Sequence, residues 1–568
     1  MCQFYQDFFS HFFSFMINSY QLTLSHSKRN GQHYILTFGH VFYIVIEMNI
    51  KIKLCVLCLL ALFVAGCSTS YDVVIKGGTI YDGLGGTPFV ADIGIANGSI
   101  KIIGNIKSST GLTIDAQGSI VSPGFIDIHT HCESGLQSEK GKNAKNYLMQ
   151  GVTTVVTGNC GGGTYRVEEL FSKLEAQGIG LNIIHLIGHG TVRGSVMKQE
   201  AREPTDKEIS LMKERLAQGM TEGAAGFSTG LFYAPGSYAK TDEIVELALV
   251  VKKYDGIYAT HIRDESNYTI GLKEAIKEAI VVGERADIPV EISHIKALGK
   301  PAWGLSEDVC KIIENARNRG VKVYADQYPY KASSTGLSAA VIPRWVQAGG
   351  HMRDRLENPE LLPKIKKEIA DNIDRRGGPE SLVIVSYPKN RDFDGKNLQE
   401  ISRMMETPVV ETAIYLVLNG SPSIISFNMQ ESDLEYFMKK PYVMTGSDGN
   451  VQIPDKSFPH PRNYGTFPRK IRQYVLEKKW ITMEQAIRAA TSLPAEVLGL
   501  TDRGSLKEGF VADIVVFDPD EISDKATYEA PHQYSKGVRY LLIGGDPVIE
   551  DGIYNGCLAG KPIRMNTN

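Results

Sequence analysis

The chain reads as an α/β protein. It should form a (β/α)8 TIM-like barrel, with a small β-sandwich domain built from both ends of the mature chain and an inserted subdomain before the last barrel strand. Three observations predict this. Between residues 122 and 498, β-rich runs alternate with amphipathic stretches, giving eight strand candidates. Short strand-like segments with turn residues bracket that region on both sides. Finally, five of the eight runs end in side chains able to bind a divalent cation, as befits a barrel whose site lies at the C-terminal strand ends.

Taken in order, residues 1–47 are rich in Phe, His and Ser without periodicity, and read as an extension upstream of the true initiator, Met48. Residues 48–66 read as a signal peptide. Lys51 and Lys53 form a basic start, residues 54–65 are a twelve-residue apolar run, and Gly66-Cys67 follows. A membrane-spanning helix needs ~20 apolar residues, so this run is too short to span. Val64-Ala65-Gly66-Cys67 resembles a bacterial lipobox, which implies a lipidated Cys67 as the new N-terminus. Ser68 follows, with no Asp to retain the chain at the inner membrane. The expectation is therefore an exported bacterial lipoprotein, anchored in the outer membrane and facing the periplasm or the cell surface.

Residues 67–121 should give the first part of the sandwich, from runs at 73–75, 91–95 and 100–103, with Asn97-Gly98 as a hairpin turn. Residues 499–568 return to the same pattern at 512–517 and 540–545. Between them, residues 122–498 form the barrel, with strand candidates at 125–131, 153–160, 182–187, 225–228, 258–261, 291–294, 321–326 and 443–448. Helical periodicity occupies 207–220, 242–253, 272–285 and 306–318. The gap from Asp326 to Tyr442 is too long for one connection. Its helical patterns at 361–373 and 404–418 suggest an insert over about 345–440.

A net charge of −3 and 43% hydrophobic residues describe an ordinary globular protein and argue against a nucleic-acid partner. Of the eight cysteines, Cys132, Cys160, Cys310 and Cys557 fall outside the leader, too widely spaced for a disulfide framework. Cys160 closes a strand-like run, as do His129, His131, His261, His294 and Asp448. Alternation along a strand would put His129 and His131 on one face. Asp127 is placed to orient an imidazole from behind. A set of thiolate, imidazole and carboxylate favours zinc over magnesium or calcium. Singly, His261 or His294 could be a core histidine, Cys160 an inert buried thiol and Asp448 a helix cap; as one ring of strand ends they point to a metal site. The run Gly158 to Gly163 lacks the Lys-Ser/Thr tail of a phosphate-binding loop.

These residues resemble the amidohydrolase superfamily, and within it the N-acyl-D-amino-acid deacylases (D-aminoacylases). The matching stretches run from SPGFIDIHTH at 122–131 through GNCGGG at 158–163, GHGTVR at 188–193, GFSTGLFYAPGSYA at 226–239, ATHIRDE at 259–265, EISHIKALG at 291–299, YPYKASST at 328–335 and TGSDG at 445–449 to HPRNYGTFPR at 460–469. The resemblance implies one tight zinc at Cys160, His261 and His294, and a second, weaker divalent site at His129, His131 and Asp448. It implies Asp448 as the catalytic proton carrier. Lys296, Tyr328, Ser334 and Arg462 would hold the free carboxylate of a small N-acyl amino acid. The activity implied is zinc-dependent hydrolysis of N-acyl-D-amino acids to a carboxylate and a D-amino acid. Another amidohydrolase, such as a dipeptidase or cyclic amidase, is the alternative, ahead of a catalytically silent ligand-binding lipoprotein. The chain departs from the family in having Cys132-Glu133 after the second histidine. The resemblance implies that relatives acting on N-acyl-D-glutamate carry an arginine shortly after the YPYKASST-like stretch; residues 336–342 here hold no cation before Arg344, so neutral or hydrophobic substrate side chains such as Leu, Met or Phe are expected over Asp and Glu.

Overall fold

The structure, a computed structural model, describes residues 70–107 and 111–565; the upstream extension, the signal segment and Cys67 lie outside the described residues. The N-terminal strands are β1 (Val73–Ile80), β2 (Phe89–Ala96), β3 (Ser99–Gly104), β4 (Leu112–Asp115) and β5 (Ile120–Pro123). Asn97 and Gly98 join β2 to β3 with φ of 51° and 72°, the positive pair that a two-residue hairpin requires.

The barrel begins with β6 (Phe125–Asp127), β7 (Val152–Thr157), β8 (Asn182–Gly188) and β9 (Gly226–Gly230). It continues with β10 (Ile257–His261), β11 (Val290–Ile292) and β12 (Val323–Gln327). An insertion then contributes β13 (Ala332–Gly336), β14 (Leu382–Ile384) and β15 (Ser423–Phe427), before β16 (Val443–Thr445) completes the ring. The eight parallel strands lie in the order β16-β12-β11-β10-β9-β8-β7-β6. Period-2 alternation sorts their side chains into two layers. Phe125, Val155, Ile183 and Phe227 pack with the surrounding helices. Ile126, Val156, Ile184 and Ile257 form a second cluster, capped by Leu493 and Val497 of the helix Ser492–Leu498.

The ring closes at one seam, where β16 and β6 form no ladder. Asp448 N donates to His129 O and His131 N to Gly449 O, each at 2.8 Å, and Thr130 bridges to Gly449. Barrel closure and the placing of three candidate ligands are therefore one event.

The last strands, β17 (Ile514–Phe517), β18 (Val538–Ile543), β19 (Asp546–Glu550) and β20 (Ile553–Tyr554), return to the N-terminal sheet. β17 pairs antiparallel with β5, Val516 opposite Val121, giving a nine-stranded sheet drawn from both ends. Val73, Ile75 and Ile93 share its core with Ile514, Val516 and Leu542.

The helices Asp206–Thr221, Thr241–Lys252, Leu272–Ala286 and Ser306–Asn318 lie where periodicity puts them. The insertion differs from the expected 345–440. Its antiparallel sheet, in the order β13-β15-β14, starts at Ala332 and ends with β15. Leu337, Ile365, Leu382 and Leu416 belong to its separate core. The polar sequence of β13 offered no apolar run by which to place that start. The single helix expected over 404–418 is two, Leu398–Met404 and Val409–Leu418, because Pro408 cannot continue a helix. No helix among the described residues is long and apolar enough to cross a membrane.

Candidate active site

The candidate ligands sit at or just beyond the barrel strands. His261 is the last residue of β10, whereas β6 stops at Asp127, short of His129 and His131. Beyond that end Thr130 N still donates to Val156 O, and both imidazoles face the same side, each Nε2 within 3.7 Å of Asp448 Oδ1, as alternation predicts. Asp127 staples the seam, its Oδ1 accepting from His129 N at 3.2 Å and Ser447 N at 2.9 Å. The orienting role expected of Asp127 belongs to Asp326, whose Oδ2 lies 2.9 Å from His129 Nδ1 and also accepts from His294 N at 2.9 Å. Cys160, His294 and Asp448 have φ of 54°, 38° and 50°. Left-handed backbone is unfavourable for such residues, by ~1–3 kcal/mol each, and accumulates where function demands a particular direction. The glycines around Cys160 allow its loop to pack closely: a Cβ at Gly163 would lie 2.0 Å from Leu186 O.

These devices converge on one sulfur. Cys160 Sγ lies 3.4 Å from His129 Nε2, 3.7 Å from His261 Nδ1 and 3.7 Å from His294 Nε2. Asp448 Oδ1 lies 3.2 Å from His131 Nε2 and 3.7 Å from His129 Nε2. The ligand atoms of Cys160, His261 and His294 all lie within 4.8 Å of one another, as do those of His129, His294 and Asp448. The two sites expected from sequence thus form one continuous cluster in which His129 abuts both halves. Glu265 lies behind it, 3.2 Å from His294 Nδ1 and 3.7 Å from His261 Nε2. Asp326 behind His129 and Glu265 behind His294 leave each Nε2 facing the cluster, the arrangement that orients metal-bound imidazoles.

The electrostatics fit a cation. Burial holds His129 and His261 below the ordinary imidazole range, so both stay neutral and can ligate. Burial lowers His131 too, but Asp448 and Glu133 outweigh it and raise that imidazole. Burial, then the Asp448 carboxylate, pushes the Cys160 thiol well up, so that a thiolate there needs an adjacent positive charge. Burial would likewise raise Asp448, yet Arg462 and the surrounding imidazoles hold it well below the usual carboxylate range. A thiol, the neutral imidazoles of His129 and His261 and an ionised carboxylate make up a zinc-type donor set. Cys132 stands apart. It is fully buried, its thiol is pushed up to about 12 by burial, and it belongs to none of the ligand groups.

A cavity of about 340 Å³ opens over the cluster, lined by residues that include His131, Cys160, His261, Tyr328, Ser334 and Arg462. Arg462 Nη1 pairs with Asp448 Oδ2 at 2.8 Å, while Arg462 Nε and Tyr328 Oη are buried and make no hydrogen bond among the described residues. Both could receive a substrate carboxylate. Lys296 lines the cavity as well, but its Nζ is already paired with Glu265 and lies 2.6 Å from His294 Nδ1. Residues 336–342 supply no cation to the cavity, as expected. Apart from Gly336 that stretch does not line the cavity, and Leu337, Ala340 and Val341 pack into the insertion's core. A cation reaches the cavity from elsewhere, as Arg376. Glu265, Asp326 and Arg376 were not singled out by sequence reasoning. Glu265 lies inside the ATHIRDE stretch and Asp326 at a strand end, the same signal that flagged the ligands. Arg376 follows an inserted helix and carries no such mark.

A closed parallel barrel presenting this donor set at its strand ends defines a metal-dependent barrel hydrolase. The chain belongs to the amidohydrolase family, whose model matches residues 112–339 and 436–549. It is 33% identical over 519 residues to the D-aminoacylase of Alcaligenes xylosoxydans xylosoxydans, covering 87% of this chain and 98% of that protein. The crystal structure of N-acyl-D-glutamate deacylase from Bordetella bronchiseptica, complexed with zinc and a phosphonate mimic of the tetrahedral intermediate, is similar with a TM-score of 0.74 and 31% identity, over 87% of this chain and 100% of that one. A D-aminoacylase structure addressing its binuclear metal centre, with one-metal activation and second-metal attenuation, has a TM-score of 0.74 and 30% identity, over 87% of this chain and 99% of that one.

The arrangement predicts different consequences for the two anionic ligands. Cys160→Ala should lower zinc from about one per chain to a small fraction of that, because the central donor is gone. Asp448→Asn should keep that zinc, since Cys160, His261 and His294 remain. Metal analysis of both variants after gel filtration is the check; unchanged zinc in Cys160→Ala would remove the thiol from the ligand set.

Proposed function

We propose that the chain hydrolyses the amide bond of N-acyl-D-amino acids, releasing a carboxylate and a D-amino acid. The observation that carries this reading is the cysteine sulfur flanked by three imidazole nitrogens beneath a cavity containing a buried arginine and tyrosine. The D configuration is supported by the relatives, which are named for D-amino-acid substrates.

Cys160, His261 and His294 would hold zinc tightly, and His129, His131 and Asp448 a second, weaker ion; zinc supplies a Lewis acid that polarises the acyl carbonyl and acidifies water. The chain's own groups do the rest. Asp448 accepts a proton from the attacking water and returns it to the leaving nitrogen, without which an amide nitrogen departs very slowly. Arg462, paired with Asp448, keeps that carboxylate ionised and ready to accept. The free face of Arg462, the Tyr328 hydroxyl and Ser334 meet the α-carboxylate of the substrate and fix the acyl group over the cluster. Burial raises Tyr328 well above the ordinary phenol range, so it remains a donor.

The zinc-loaded enzyme should hydrolyse N-acetyl-D-amino acids with kcat/KM at least about a hundredfold above the L enantiomers. Asp448→Asn should lose about three orders of magnitude in kcat, the usual size of a general acid–base contribution. Equal rates on both enantiomers, or a normal rate in Asp448→Asn, would refute the reading.

We further propose that the chain is an exported lipoprotein, anchored in the outer membrane through Cys67. Supporting this are the basic residues Lys51 and Lys53, the apolar residues 54–65 and the Val64-Ala65-Gly66-Cys67 sequence. Mass spectrometry of the native protein should find an acylated Cys67 as the first residue. An intact chain retaining residues 1–66 in the soluble fraction would contradict it.

A further inference from the structure

Arg376 follows the inserted helix Leu362–Arg375, is 1% exposed, and lines the same cavity as Cys160 and Arg462. Its guanidinium touches only neutral groups. Nε donates to Tyr268 Oη at 2.7 Å and Nη1 to Ser426 Oγ at 3.4 Å. No carboxylate among the described residues comes within 4.0 Å of it. The cavity wall holds three cations, Lys296, Arg376 and Arg462, and two carboxylates, Glu265 and Asp448. Lys296 takes Glu265 and Arg462 takes Asp448, which leaves Arg376 as the surplus charge. A buried guanidinium without a counter-ion is strongly unfavourable, and such a group is best explained by an anion that arrives to meet it.

The surroundings say where that anion comes from. Phe232, which lines the cavity, has its ring 5.4 Å from that of His261 and 5.3 Å from that of Tyr268, so Arg376's partner lies two ring contacts from the metal cluster. A second guanidinium, Arg344, lies 3.8 Å over the Phe232 ring and bonds only backbone carbonyls. Asp264, the carboxylate in this neighbourhood, is occupied by the backbone amides of Ser266, Thr269 and Gly271. Ser333, which lines the cavity, and Ser426, which accepts from Arg376, both accept from Asn428 at 2.9 Å. In an N-acyl-D-glutamate the side-chain carboxyl carbon is five bonds from the scissile carbonyl carbon, roughly 6 Å when extended. A charge-assisted hydrogen bond of about 3 Å extends that reach. Aspartate is one bond shorter.

We propose that Arg376 sets the substrate specificity of this site by receiving the side-chain carboxylate of an acidic D-amino acid, glutamate in particular, while Arg462 takes the α-carboxylate. The proposal rests on the hydrolase reading for the other end of the substrate. The methylenes of the glutamyl side chain pack on Phe232 and Leu298, and the insertion supplies the charge that the barrel lacks.

The test compares N-acetyl-D-glutamate with N-acetyl-D-leucine on zinc-loaded wild type, Arg376→Gln and Arg376→Lys. Wild type should favour glutamate. Arg376→Gln should lower kcat/KM for glutamate at least about thirtyfold, as for loss of one partner of a buried charge pair, and change that for leucine less than about threefold. Arg376→Lys should recover part of the glutamate activity. A wild-type preference for leucine, or an equal fall on both substrates in Arg376→Gln, would overturn the proposal. Calorimetric binding of free D-glutamate and D-leucine to metal-free protein separates this idea from the catalytic one. Arg376-dependent preference for D-glutamate in a protein that hydrolyses neither substrate would sink the hydrolase reading and leave the anion site standing. Equal binding of the two would sink the anion site.

Discussion

The structure turns on one electrostatic constraint: a thiol, four imidazoles and a carboxylate crowd one end of a closed barrel, with three imidazole nitrogens facing one sulfur. Lone pairs pointed at one another are tolerable only when a cation lies among them. Without one, the thiol must stay protonated and its neighbours repel. The local backbone is built to keep this arrangement nonetheless. Cys160, His294 and Asp448 adopt the left-handed conformation that most side chains avoid. Asp326 and Glu265 turn the ring nitrogens inward. The seam that closes the barrel is made from the segments that carry His129, His131 and Asp448. Stability has been given up locally for direction, which is the usual signature of a site that works only when loaded.

From this follows a division of labour between barrel and insertion. The barrel strands fix the donors rigidly, since β6 to β12 and β16 are almost wholly buried. The insertion has its own core and sheet and supplies the other wall of the cavity through Ser333, Ser334, Thr335, Arg376 and Ser423. Chemistry and selectivity therefore sit on separately packed parts, so the wall can change without disturbing the metal cluster.

Much of this was legible in the chain itself, for physical reasons. The barrel strands are apolar runs, and five of the eight end in residue types able to ligate zinc, so period and chemistry pointed to the same places. Asn97-Gly98 announced its hairpin because few other pairs accept two positive φ values. What escaped was whatever depends on contacts between distant segments. Asp127 looked like the orienting carboxylate because it is adjacent to His129 in sequence; Asp326, 197 residues away, makes that contact. The insertion's start was missed because β13 is polar and pairs with β15, nearly ninety residues on. Arg376 was invisible for the same reason: nothing local distinguishes an arginine after a surface helix from one folded over a cavity.

The central claim is that Cys160 and the imidazoles around it hold zinc. X-ray absorption at the zinc edge on the metal-loaded protein tests this directly. The account predicts one sulfur scatterer at about 2.3 Å and two or three nitrogen or oxygen scatterers at about 2.0–2.1 Å. A first shell of nitrogen and oxygen alone would contradict it.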